Sequence, residues 1–353
     1  MQIGNVNPLV SVIIVNYKSY EPLRSCIKSL LESDYPNLEI IVVDCLTPKL
    51  QERIRNEFGD KRIRIVHFDV NIGASASHNI GALASDPSAK YLVFMDNDVI
   101  VSSNALRMLV EAMEKNPFMG VVQAKVISRS NEGKMDHMSL GLDVAGTWVT
   151  TYGQSAELFS RPLEIFLASS AMMITRRDLY FEALGFDDTY FIYDDDTDYS
   201  WRVRLLGYSV GYEPSAVVYH EDKFENRLRY DKLYFGFKNR LLNIFKNLEA
   251  ENMVFSVVFT LYLGYINIVL LSLGLKGKEA LAYFKASINI LNTLPTRLLH
   301  RKIIQRRRKV PDRIFFEKGF LRKDLFGTIV MLRELLIRYY KSFKENTGKT
   351  THI

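Results

Sequence analysis

Short apolar runs of strand length alternate with segments whose apolar residues recur at helical spacing through the first half of the chain. Val10-Ser11-Val12-Ile13-Ile14-Val15 reads as a buried strand, and Leu23, Ile27, Leu30 and Leu31 follow it at helical spacing. Leu38 to Asp44 is a second apolar strand ending in acid, followed by a helical stretch around Gln51 to Phe58 and a short strand over Ile63 to Val66. A helix begins near Ser75, and the apolar run Tyr91 to Met95 leads into Asp96. This βαβαβαβ order predicts an α/β fold with a doubly wound, Rossmann-like, mostly parallel sheet. Beyond about Arg227 the pattern turns helical. Asn252 through Leu275 carries no charge, long enough for a bilayer core of about 30 Å, and a second uncharged stretch covers Ala286 to Thr296. Basic residues flank both ends (Lys238, Arg240 and Lys246; Lys276, Lys278, Arg297 and Arg301), so a spanning helix would violate the positive-inside tendency. The expectation is a re-entrant or in-plane hairpin over 252–296 with both ends in the cytoplasm, the alternative being a pair of core helices. A last amphipathic helix is predicted near Leu325 to Phe343, before a frayed tail from Lys344 to Ile353.

The chain has 353 residues, 48% of them hydrophobic, enough for a full core and one large domain plus an appendage, or two domains. Its net charge of +6 is concentrated between Lys223 and Lys344. The tract Arg297 to Lys309 would suit anionic headgroups or a lipid-carrier phosphate, whereas nucleic-acid binding lacks aromatic or zinc-module support. Cys26 and Cys45 make no disulfide framework or metal spacing, and no signal peptide is legible, which suits a reducing cytosol.

Candidate chemistry gathers at strand ends. Asp96 and Asp98 would project into the crevice beyond the sheet, where a cation and a diphosphate could meet, although a strand, acidic turn and helix cap would look the same. Asp44 adds a second acid-tipped strand. Between them, Asn71 to Gly81 places small residues at a helix start, where the backbone could approach a phosphate or ribose or simply pack tightly. Gly185 to Asp198 crowds carboxylates beside aromatics, so one could be poised to take a proton; an acidic loop and helix start is the plainer reading. Ser215 to His220 is a strand ending in histidine.

In order and spacing these motifs resemble the inverting family 2 glycosyltransferases of the GT-A fold, most like the rhamnosyltransferase-like branch, over roughly Pro8 to Glu225. Asn16-Tyr17, Asp44, the NxGxxxxxNxG stretch with Asn71, Gly73 and Asn79, and the DxD of Asp96 and Asp98 look like that family's nucleotide-sugar half (about 8–105). Arg176-Arg177, the Gly-Phe-Asp-Asp turn, Tyr193-x-Asp195-Asp196-x-Asp198 and Arg202 to Tyr208 look like its acceptor half (about 106–226). The resemblance implies Mg²⁺ or Mn²⁺ held by Asp98, with Asp96 and His220 assisting, a nucleoside-diphosphate-sugar donor with Asp44 at the base, and Asp196 as general base with Asp195 in place of the usual Glu. The acceptor is expected to be a glycan or lipid-linked, at the cytoplasmic face of the cell membrane, beside a helical region over 227–353. The loop Asp44-Cys45-Leu46-Thr47-Pro48 departs from the usual Asp-Asn-x-Ser, and Ser170 stands where Gly is common. The alternatives are a polyprenyl-phosphate glycosyltransferase, a noncatalytic membrane-associated nucleotide-sugar-binding protein, and a sugar-nucleotide pyrophosphorylase, whose Gly-rich phosphate loop is missing from Val10 to Tyr20.

Overall fold

The computed structural model describes residues 7–131, 133–136, 138–221, 229–274, 276–330 and 333. The alternation read from the sequence forms β1 (Val10–Tyr17), α1 (Glu21–Leu31), β2 (Leu38–Cys45), α2 (Leu50–Phe58), β3 (Ile63–Phe68), α3 (Ala74–Ala84) and β4 (Tyr91–Asp96). There follow β5 (Val99–Val101), α4 (Ala105–Lys115), β6 (Met119–Ser128), β7 (Ser139–Leu142), β8 (Trp148–Thr150), β9 (Leu163–Glu164), β10 (Met172–Arg176), α5 (Arg177–Glu182), α6 (Asp195–Leu205) and β11 (Ser209–His220). The helical region comprises α7 (Tyr230–Asn247), α8 (Ala250–Leu273), α9 (Gly277–Asn292), α10 (Leu294–Arg307) and α11 (Asp312–Glu317).

The main sheet runs β3-β2-β1-β4-β10-β6-β11-β5, with β9 on β11. It is parallel across β3, β2, β1 and β4 and again between β6 and β11. Antiparallel β10 joins the two parts. The first strands are apolar almost throughout because both faces are covered. Val10, Val12 and Ile14 share a core with Leu23, Ile27 and Leu30 of α1, while Ile13 packs with Ala82 of α3 and Phe94. Gly81 lets α3 lie this close: a Cβ there would come within 2.3 Å of Ile13 Cγ2.

The C-terminal helices share a core with the α/β half of the chain. Trp201 and Leu205 of α6 pack with Phe166, Ile244, Leu248, Ile304, Phe315 and Phe320. Beneath them Lys246, 1% exposed, bridges Asp187 (2.6 Å) and Asp198 (2.9 Å), and Arg202 takes the other side of Asp198 at 2.8 Å. Burial alone would raise Asp187, but the charge of Lys246 and bonds from His300, Lys246 and Thr189 hold it well below the usual carboxylate range. The basic tract is correspondingly corrected. Arg297 turns inward to the Thr189 hydroxyl and Arg308 to Asp312, and Arg301 donates to the carbonyls of Phe245 and Leu248, left open at the end of α7. Lys302, Arg306 and Lys309 remain exposed.

The uncharged segment forms α8, one helix long and apolar enough to cross a membrane by length and composition. Its faces are inverted relative to a soluble helix. Small residues Ser256, Thr260 and Gly264 are buried, Gly264 against Phe237 of α7, while Phe255, Val258, Tyr262, Tyr265 and Leu270 face outward. On α9, Ala282 and Ala286 are buried and Leu281, Phe284, Ile288 and Leu291 exposed. The greater part of the predicted last helix and the tail lie outside the described residues.

Removing Lys246 leaves two buried carboxylates short of a partner, so Lys246→Met should lower unfolding free energy by about 3 kcal/mol in denaturant titrations. Because Asp187 is depressed in the folded state, its contribution is present above about pH 4 and lost as pH falls further. A Lys246→Met variant as stable as the native chain at pH 7 would contradict this account of the anchor.

Candidate active site

The strand order reverses at β1 and β4, and the acid-tipped ends of β2 and β4 flank that point, where α/β sheets leave a crevice. Asn16 at the end of β1 ties them together. Its Nδ2 donates to Asp44 (2.6 Å) and Thr47 (3.0 Å), and its Oδ1 accepts from Asn97, between the two acids of the DxD. Asp44 is fully buried and also accepts from His67 Nδ1 (2.6 Å) and Thr47 N (3.2 Å). Tyr17 stands exposed at the crevice end of β1.

Antiparallel pairing of β11 with β5 sets His220 opposite Val99, which brings the imidazole to the DxD turn. His220 Nε2 lies 3.1 Å from Asp98 Oδ1 and 3.7 Å from Asp96 Oδ2. Nδ1 is bonded to Asp136, which is fully buried. Ligand atoms of Asp96, Asp98 and His220 lie within 4.8 Å of one another. Burial draws the imidazole down, but bonds to Asp136 and Asp98 outweigh it and leave its pKa well above the ordinary value. Asp96 is pushed up to about 6 by burial, partly offset by His220 and reinforced by Asp98.

The Asn71 to Gly81 stretch is used chiefly inside the protein. Asn71 Oδ1 caps Gly73 N at 3.0 Å, and Gly73 (φ 84°) passes so near Phe191 that a Cβ would sit 2.5 Å from its carbonyl oxygen. That oxygen accepts from Ala74 N (2.6 Å), an amide expected to face a phosphate. Asn79, expected to meet the donor, is a clamp: its Oδ1 accepts from Tyr180 (2.6 Å) and Phe186 N (2.9 Å), and its Nδ2 donates to Phe186 O (2.9 Å).

Opposite this edge, α6 begins at Asp195, so Asp195, Asp196 and Asp198 all fall in its first turn and all are buried. Asp195 accepts from Ser75 Oγ (2.8 Å), with His78 Nδ1 3.8 Å away. Asp196 accepts from the backbone of Ser170 (3.1 Å) and Thr197 (2.7 Å), so Ser170 serves through its amide. Burial, then the charge of Asp195, raises Asp196 well above the carboxylate range. Half-buried Asp194 is raised to about 6 by burial, opposed by Arg240 and reinforced by Asp195. Asp198 belongs to the Lys246 anchor instead.

The approach to these acids is strained. Phe191 (φ 67°), Tyr193 (φ 67°) and Asp194 (φ 59°) are non-glycine residues in left-handed conformations, a costly cluster that surrounding contacts must hold. α7 supplies them. Asn239, fully buried, donates to the carbonyls of Tyr190 (3.2 Å), Ile192 (2.8 Å) and Tyr193 (2.7 Å), and Asn243 donates to Asp194 O (3.2 Å) and accepts from Tyr190 OH (2.7 Å).

Residues 11–182 match the family model described as Glycosyl transferase family 2. The match ends before α6 and takes in Asp44, the DxD and Asp136. Curated relatives agree: the uncharacterized glycosyltransferase EpsJ of Bacillus subtilis is 36% identical over 111 residues (31% of either chain), and the poly-beta-1,6-N-acetyl-D-glucosamine synthase of Staphylococcus epidermidis is 24% identical over 211 residues (60% of this chain, 49% of the other). The matched part thus spans less than half of these relatives. In fold, the chain resembles GalNAc-T7 with UDP, GalNAc and Mn²⁺ (TM-score 0.51, 19% identity, 62% of this chain and 44% of the other). It also resembles the mannosyltransferase PcManGT of Pyrobaculum calidifontis with GDP-Man and Mn²⁺ (TM-score 0.51, 15% identity, 85% and 84%). The fold is GT-A, and the glycosyltransferase family 2 match supports glycosyl transfer.

Several residues of this candidate site escaped sequence reading. Asp136 lies where no strand or helix pattern leads, His67 sits in a run that reads as an ordinary strand, and His78 goes unnoticed among the small residues of Asn71 to Gly81. Asn239 and Asn243 left a usable signal: two amides four residues apart on one face of an aromatic, basic helix. Replacing Asn239 with Leu should speed hydrogen exchange of amides 190–195 by roughly tenfold or more while the β1 and β4 amides keep their protection. Unchanged exchange over 190–195 would show that α7 does not hold the loop.

Proposed function

We propose that this protein is a divalent-metal-dependent, inverting glycosyltransferase that moves a sugar from a nucleoside-diphosphate sugar to a glycan or lipid-linked acceptor at the cytoplasmic face of a membrane. The observation that carries this reading is the convergence of Asp96, Asp98 and His220, with Asp136 behind the imidazole. Two carboxylates and one imidazole fit Mg²⁺ or Mn²⁺, and a buried carboxylate on Nδ1 fixes the tautomer that offers Nε2 to a cation. A divalent ion held by Asp98, Asp96 and His220 would stabilise the charge that develops on the β-phosphate as the nucleotide departs. The Mn²⁺ and sugar nucleotides of the two solved neighbours are the ligand classes expected here.

The chain's own groups account for the rest. Asn16 and Asp44 frame the base end of the crevice, with Tyr17 exposed beside them. The acceptor hydroxyl must lose its proton as its oxygen meets the anomeric carbon on the face opposite the leaving group. Asp196, oriented by two backbone amides and made more basic by burial and Asp195, is suited to take that proton. A single displacement with one base gives inversion. Membrane attachment follows from the large apolar side chains that α8 and α9 turn outward, with Lys278, Lys285 and Lys302 exposed nearby in the sequence.

Calorimetry with a panel of nucleoside diphosphates should show one that binds with Mn²⁺ and loses at least about tenfold in affinity in Asp98→Ala. Asp196→Asn should bind that nucleotide like the native chain while transfer of labelled sugar to a membrane extract falls about 10²-fold or more. Native transfer should rise with pH through the elevated Asp196 value, since the base works only when deprotonated. Metal-independent binding would contradict the metal site, and transfer that survives in Asp196→Asn would favour a phosphate acceptor, which needs little base catalysis.

A further inference from the structure

We propose that the groove between the first turns of α7 and the second half of α9 seats the hydrocarbon chain of a lipid-linked acceptor and leads its head toward the α6 carboxylates. This rests on the glycosyltransferase reading above and narrows its acceptor to a lipid with a single long chain. The groove encloses about 490 Å³ and is lined by Tyr234 and Phe235 on one side and Phe284 and Ile288 on the other, with Asp231 and Asn289 as polar members of its lining. That volume lies within the roughly 300–1,000 Å³ typical of small-ligand sites.

Two continuities decide the occupant. At the outer side, Phe284 and Ile288 belong to the exposed stripe Leu281, Phe284, Ile288 and Leu291 of α9. A chain resting in the groove is therefore contiguous with the surface argued to meet the bilayer, so a lipid tail could enter without first crossing water. At the inner side, Phe235 stacks on Phe191 with ring centroids 5.3 Å apart. Phe191 opens the strained segment that runs directly into Asp194, Asp195 and Asp196, and its carbonyl caps α3. Lys285 is exposed at the lining, where a phosphate or diphosphate head could be attracted. A groove whose apolar wall continues onto the outward stripe of α9 and whose Phe235 stacks on the loop leading into the α6 carboxylates suits an acceptor tethered to a hydrocarbon chain.

The test uses the full chain in lipid nanodiscs with a farnesyl phosphate bearing a photoreactive diazirine, mapped by peptide mass spectrometry. Labelling should fall on residues 230–235 and 284–292, be displaced by unlabelled long-chain isoprenyl phosphate, and resist excess phosphatidylglycerol. Ile288→Trp, which fills the groove, should cut labelling at least tenfold, whereas Ile288→Leu should not. Mn²⁺-dependent nucleotide binding should persist in both variants, which shows that the fold and donor site survive. Labelling confined to the outer face of α8, insensitive to Ile288→Trp, or displaced by phosphatidylglycerol would overturn the groove. Failure of the native chain to bind any nucleotide with Mn²⁺ would strike the glycosyltransferase reading instead, and is read independently of the labelling.

Discussion

The pairing of His220 with Asp136 is the contact on which the donor side of this structure depends. Without a buried carboxylate on Nδ1, the imidazole at the end of β11 would have no fixed tautomer and no fixed rotation, and the two acids after β4 would face one another with little to offset their repulsion. As it stands, the imidazole lies among Asp96, Asp98 and Asp136, whose charges favour its protonated form. A divalent ion at the same point would replace the Nε2 proton and relieve the same crowding. The sheet exists to make that meeting possible, since β5 folds back to pair with β11 and draws residues far apart in the chain to one edge.

A second constraint operates at the α6 carboxylates. The segment Phe191 to Asp194 is held in conformations that cost free energy, and the compensating bonds come from Asn239 and Asn243 of α7. The Lys246 network one turn further along fixes α7 against Asp187 and Asp198. The C-terminal helices thus do two things at once. One face shapes the carboxylate loop, while large apolar side chains of α8 and α9 are turned outward.

How much of this the sequence disclosed follows from the range of the signals. Strands β1 to β4 were legible because both faces are covered and apolar residues run almost without interruption. The DxD, Asp44 and His220 were legible as acids and a histidine at strand ends, and their resemblance to a known motif order supplied the rest. Asp136 was not, because its role arises from one long-range contact with no local pattern. The internal contacts of Asn79 and Gly73 were not legible for a related reason: a small or polar residue at a helix start looks the same in sequence whether or not it also packs on the Phe186 and Phe191 loops. The basic tract could not be divided from sequence, because a charge run gives no sign of which side chains turn inward, as Arg297 does to the Thr189 hydroxyl and Arg301 to the Phe245 carbonyl.

The most direct test of the central claim is the position of the ion. Crystals grown with MnCl₂ and the nucleoside diphosphate that binds should give an anomalous peak within roughly 2.5 Å of Asp98 and of His220 Nε2, with Asp136 still on Nδ1. A peak elsewhere, such as among Asp194, Asp195 and Asp196, or none at all with the nucleotide bound, would contradict the account.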